Sequence, residues 1–124
     1  MSGRKIVHIE LSATDRKKVA DFYAQAFGWG IQHQDEMNYT LFEAAEGLGG
    51  GFNPVDGTNT KQGEVVMYVD SQDIDADLAK IESLGGRTLV PKSPIPGFGW
   101  FALFTDPGGN KVGLFMGQPD QPGG

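Results

Sequence analysis

One order of segments occurs twice in this chain, and that duplication limits the possible folds more than any other feature. In "KIVHIEL", residues 5–11, polar and apolar residues alternate, as in a half-buried strand, with His8 and Glu10 on one face and Val7, Ile9 and Leu11 on the other. From Thr14 the period changes. Val19, Phe22, Tyr23, Ala26 and Phe27 form one apolar stripe at helical spacing. Thr14 is the expected N-cap, Asp15 suits the positive end of the helix dipole, and Gly28 is the expected terminator. Strand-like stretches follow at Trp29 to Gln34, Asn38 to Ala44 and Leu48 to Asn53.

The turn-rich "NPVDGTNTKQG" reads as a linker, and then the order repeats. "EVVMYVD" is a strand. "QDIDADLAKIESLGG" is a helix with Ile74, Leu78, Ile81 and Leu84 on one stripe, and "RTLVPK", "GWFALFT" and "KVGLFM" are three more strands, the last two joined by "DPGGN". His8 lies twenty positions before Gly28, and Val66 nineteen before Gly85. Such a repeat predicts two copies of one supersecondary unit packed together. The expected class is therefore α+β, built from two βαβββ modules. Module one spans 4–53, a linker 54–63 and module two 64–116, all within a single domain over 1–124, and 117–124 reads as a disordered tail. Strands covered on one face by helices and curving on the other would enclose a cavity.

Composition removes several function classes. The net charge of −6 and the lack of a basic run exclude nucleic acid as a partner, and make a neutral or cationic small molecule the easier ligand. Without cysteine there is no disulfide, thiolate metal site or cysteine nucleophile. No apolar run has the length of a signal peptide core or a membrane span, so the expected location is cytoplasmic, with no membrane partner.

Three stretches carry a family resemblance: "VHIEL" with "VADFYAQAFGW", "YVDSQDIDADLAKIESLGG", and "PGFGWFALFTDPGGNKVGLF". Over nearly all of Lys5 to Met116 the chain resembles the vicinal oxygen chelate superfamily, which includes glyoxalase I, extradiol dioxygenases and bleomycin- and fosfomycin-resistance proteins. It is most similar to the glyoxalase-related proteins of unassigned function. The resemblance implies two βαβββ modules forming an open, cupped barrel, and homodimers. In metal-using members it also implies a divalent ion held by the first and last strands of each module. Of those ligand positions only His8 carries a donor here. Val66 stands where many relatives have histidine, Gly113 where they have glutamate, and the stretch around Gly50 offers only glycine.

A stable divalent site needs at least three converging N or O donors. Glu10 sits about 7 Å from His8 along the same strand by strand rise, so the pair alone makes a poor chelate. No bound cofactor or metal is expected. His8 then reads as a cavity residue, with Glu10 able to tune it as an acid or base. The triple glycine 49–51 lacks the following helix that a phosphate loop needs. Gly50 and Gly113 instead read as positions that leave space in the cavity. Tyr39, Tyr68, Trp100 and Phe115 are the aromatics whose strand positions point them inward, a lining suited to an aromatic, apolar or cationic ligand. Phe22, Tyr23 and Phe27 read as core, His33 as surface, and Asp73, Asp75 and Asp77 as helix-start acids and not chelators. The expectation is a metal-free small-molecule binder acting by sequestration or sensing. The competing reading is a glyoxalase-related lyase, isomerase or dioxygenase that uses His8 with a weakly held divalent ion or none.

Overall fold

The structure is a computed structural model, and it describes residues 3–56 and 60–118. The elements follow the repeated order. β1 (Ile6–Ala13), α1 (Arg16–Phe27), β2 (Gly30–Gln34), β3 (Tyr39–Glu43) and β4 (Gly50–Pro54) form module one. β5 (Val65–Asp70), α2 (Ile74–Ser83), β6 (Arg87–Ile95), β7 (Gly99–Thr105) and β8 (Lys111–Gly117) form module two. The fold is α+β, as the repeat predicts. By contact the chain divides into two compact units, His8–Met67 and Met1–Val7 with Tyr68–Gly124. The division falls inside β1 and β5, not in the 54–63 segment. Arg4 pairs with Asp77, and the Lys5 carbonyl accepts from Asp70 N–H at 2.9 Å, which ties the amino-terminal residues to the second unit.

In module one the strand order is β2-β3-β4-β1, with β1 and β4 parallel and the other pairs antiparallel. The register sets Ile9 beside Gly50, Glu10 beside Gly51 and Leu11 beside Phe52. One face packs under α1, where Ala20, Phe42 and Phe52 are buried and Leu11, Val19, Tyr23, Trp29 and Ile31 close around them. Trp29 stacks on Phe42 at 4.4 Å between ring centroids and on Tyr23 at 5.1 Å. The helix turns differently from the expected stripe. Ala20 faces inward at 0% exposure, while Phe22 and Phe27 are 61% and 65% exposed and lie outside the core. Asp15, not Thr14, is the N-cap, its side chain accepting from Lys18 N–H at 3.1 Å. Gly28 ends the helix with φ +73°, a left-handed conformation that favours glycine.

Module two repeats the arrangement in the order β5-β8-β7-β6, with β5 and β8 parallel. Under α2, Ile74, Leu78, Ala102 and Leu114 are buried, and Val69, Ile81, Trp100, Phe104 and Met116 pack against them. Asp73 caps α2 by accepting from Ala76 N–H at 3.0 Å. Asp77 is committed to Arg4 and to the Ser71 hydroxyl, and Arg4 holds its carboxyl below the usual range. Two of the three helix-start acids thus have structural partners. β8 extends to Gly117, and Gln118 N–H bonds the Phe98 carbonyl at 3.3 Å. The disordered tail expected from 117 onward otherwise falls on 119–124, outside the described residues. Among the described residues no helix is long and apolar enough to cross a membrane.

Candidate functional site

The alternation of β1 brings His8 and Glu10 to the face opposite α1, and the register of β4 and β3 adds Gly51, Asn53, Tyr39 and Leu41 to it. On this face three side chains join in sequence. The Tyr39 hydroxyl lies 2.7 Å from His8 Nε2 and donates to Glu10 Oε2 at 2.9 Å. Asn53 Nδ2 donates to the other carboxylate oxygen, Oε1, at 3.3 Å. All four residues are half-buried. Burial pushes the His8 imidazole down to about 4, so it is neutral at physiological pH.

Glycine makes this arrangement possible. A Cβ at Gly51 would collide with the ring and hydroxyl of Tyr39. Only a residue without a side chain lets the phenol lie across β4 and reach between His8 and Glu10. Gly50, expected on the cavity face, lies on the other side of the sheet. A Cβ there would strike the Ile9 carbonyl and the Phe42 ring, so Gly50 serves the α1 core. The reason is the strict alternation of a strand, which gives neighbouring glycines opposite faces.

In module two Tyr68 and Gly113 are register partners, and a Cβ at Gly113 would collide with the Tyr68 ring. The space that Gly113 leaves is therefore filled by Tyr68, which is buried at 7% exposure. Phe115 shares their face, as expected, and so do Phe101 and Leu103 through the β7–β8 register. Trp100 does not. It pairs with Met116, packs against the α2 cluster, and carries Lys92 Nζ 5.0 Å from its ring centroid. Val66 is buried in β5 and offers no donor. His33 is exposed, with Nδ1 2.8 Å from Thr40 Oγ1 on the α1 side of module one.

The predicted residues His8, Glu10 and Tyr39 are thus brought together, while Gly50 and Trp100 face elsewhere. Asn53 and Gly51 also belong to the site, and no catalytic or ligand motif in the sequence marks them. Asn53 stands at the start of a turn-rich run, and the only signal for it was its place two residues after Gly51 on the same strand. The donor set does not fit a divalent metal centre. Tyr39 stands between His8 and Glu10, and among the described residues no group of three or more His, Asp or Glu is placed to hold an ion.

The sequence profile of the family described as Glyoxalase-like domain matches residues 8–115. A protein provisionally named as a glyoxylase, CFP32 of Mycobacterium bovis, is 25% identical over 123 residues, which cover 87% of this chain and 44% of that protein. Its counterpart in Mycobacterium tuberculosis matches equally. The chain thus spans less than half the length of these relatives. Among solved structures, methylmalonyl-CoA epimerase from Mycobacterium tuberculosis superposes with TM-score 0.69 at 16% identity, covering 92% of this chain and 88% of that one. A glyoxalase/bleomycin resistance protein/dioxygenase superfamily member from Vibrio splendidus superposes with TM-score 0.64 at 12% identity, covering 92% and 99%. At these identities the likeness is one of fold.

Proposed function

The chain belongs to the glyoxalase-like domain family of the vicinal oxygen chelate superfamily, and we propose that it binds a small organic molecule on the polar face of module one without a chelated metal ion. The observation that carries this reading is the Tyr39 hydroxyl, hydrogen-bonded to Glu10 and 2.7 Å from His8 Nε2, where a metal centre would need converging donors. The neutral imidazole adds no positive charge. An aromatic alcohol or amine suits such a face and the net charge of −6. The role is sequestration or sensing in the cytoplasm, by a protein that pairs with a second copy of itself.

The test is fluorescence and calorimetric titration of the full chain, in excess chelator, with a panel of aromatic alcohols and amines that includes tyramine and phenol. Saturable binding that Glu10→Ala abolishes supports the proposal. Binding that appears only when a divalent ion is restored, or no saturable binding by any member, overturns it. A second reading is a proton-transferring enzyme of the same family, and it draws on the same contacts, which place an imidazole, a phenol and a carboxylate in series. It predicts solvent deuterium incorporated into a bound ligand, where binding alone predicts none.

A further inference from the structure

We propose that Arg16 is a positioning residue for the Tyr39 phenol, gripping from the α1 side the two residues that flank Tyr39 in the chain. The proposal rests on the reading of the opposite face as a ligand site, and it adds the residue that sets where the hydroxyl of that site stands.

Tyr39 needs such a grip because of where it lies. It is the first residue of β3 and pairs with Gln34 at the end of the β2–β3 ladder. The β3–β4 register begins one residue later, at Thr40. The end of a ladder is where a strand opens most readily. Asn38, just before it, closes the turn Asp35–Met37 with φ +52°, a left-handed conformation that disfavours most side chains. The Tyr39 ring must also lean along β3 to cover Gly51, the register partner of Leu41. A small shift of the strand end therefore displaces the hydroxyl from its place 2.9 Å from Glu10 Oε2 and 2.7 Å from His8 Nε2.

The guanidinium supplies the grip. Its Nε–H donates to Asn38 Oδ1 at 3.0 Å, Nη1 to Thr40 Oγ1 at 2.8 Å and Nη2 to Asp35 Oδ1 at 2.9 Å. A rigid planar fork fixes these three acceptors relative to one another, which a lysine amine cannot do. Thr40 is fully buried on the α1 side, and alternation sends Tyr39 to the polar face. Two of the three bonds thus straddle Tyr39 without touching the ligand face. The position of Arg16 in its own helix points the same way. α1 opens on Arg16, Lys17 and Lys18, with no acid in its first turn, at the end where the helix dipole favours negative charge. The helix gains nothing from a cation there. The Arg16 side chain is 12% exposed and committed to the turn and to β3. Its place follows from what it reaches.

The experiment is carbon NMR of the full chain labelled at tyrosine Cζ, without ligand. The chain has three tyrosines, and Tyr39→Phe identifies the signal of Tyr39. In Arg16→Met that signal is expected to move toward the position it takes in urea. Tyr23, which stacks on Trp29 and Phe52 in the α1 core, stays where it was. Thr40→Val should move Tyr39 in the same direction, and serves if Arg16→Met does not fold. Thr40→Ser, which keeps the hydroxyl, should leave the signal in place. So should Asp15→Ala, which removes the neighbouring cap of α1 and neither Asn38 nor Thr40. A Tyr39 signal that ignores both Arg16→Met and Thr40→Val overturns the proposal. Equal movement of Tyr39 in Asp15→Ala, or of Tyr23 alongside it, also overturns it, because Arg16 then only fastens α1. No ligand enters the measurement, so failure here is distinct from failure of the binding panel.

Discussion

In both modules the first strand runs parallel to the last, and in both a tyrosine ring lies over a glycine of that last strand. The tyrosines come from different places. In module two Tyr68 belongs to the first strand itself and covers its own register partner, Gly113. In module one Glu10 holds the position that corresponds to Tyr68, and the ring over Gly51 is supplied from β3 by Tyr39. One glycine seat therefore does two jobs. Over Gly113 it is filled by an aromatic residue among Phe101, Leu103 and Phe115. Over Gly51 it delivers a hydroxyl between a histidine and a carboxylate. The duplicated fold fixes the seat, and two side chains decide whether the module carries polar chemistry.

Substitutions at the glycines should sharpen that contrast most strongly. Gly50→Ala places a methyl against the Ile9 carbonyl, a backbone atom that cannot rotate away, and against the buried Phe42. A loss on the order of 5 kcal/mol, enough to unfold most domains, is expected in urea denaturation. In Gly51→Ala the nearest atoms met belong to the Tyr39 side chain, which can swing out, so the cost should be about 2 kcal/mol. It should be matched by Gly113→Ala but accompanied by loss of ligand binding only in module one.

The next effect is a pH dependence that belongs to module one. The unfolded chain takes up the His8 proton near pH 6.5, the folded protein near pH 4. Between those values the unfolded state binds more protons, so stability falls as the pH drops from about 6.5 toward 4 and levels off below. The contribution reaches up to about 3 kcal/mol. His8→Gln should flatten that part of the profile of unfolding free energy against pH, and Val66, the matching position of the second repeat, has nothing to titrate. A variant as steeply pH-dependent as the wild type would contradict the burial argument.

The smallest effects should be alike in the two modules. Asp15→Ala and Asp73→Ala each remove an N-cap bond to a backbone N–H three residues on. Each should cost about 1 kcal/mol, read as equal shifts in urea midpoint. Unequal losses would mean that one helix depends on its cap more than the repeat implies.

Much of this was legible in the sequence because side-chain alternation and helical period are local signals. The order of elements, the duplication, and the shared face of His8 and Glu10 all follow from residues a few positions apart. The errors lie where local pattern carries no marker. The three glycines of "LGGG" have no side chains to show which faces the core, so local pattern does not separate Gly51 from Gly50. Trp100 follows a Pro- and Gly-rich turn, and its face is set by pairing with Met116, sixteen residues away. Phe22 and Phe27 fit a helical stripe, but Ala20 is small enough to bring the helix close to Phe42 and Phe52, and it takes the inward position. The bonds among His8, Tyr39, Glu10 and Asn53 depend on the parallel register of β1 and β4, which no short window of sequence contains.

The account turns on whether this face works without a metal. The most direct measurement is calorimetric titration of chelator-stripped protein with Mn²⁺, Ni²⁺ and Zn²⁺, repeated on His8→Ala. Weak heats that are the same in both proteins are predicted. Stoichiometric binding that disappears with His8 would contradict the account and place a metal centre where Tyr39 now bonds Glu10.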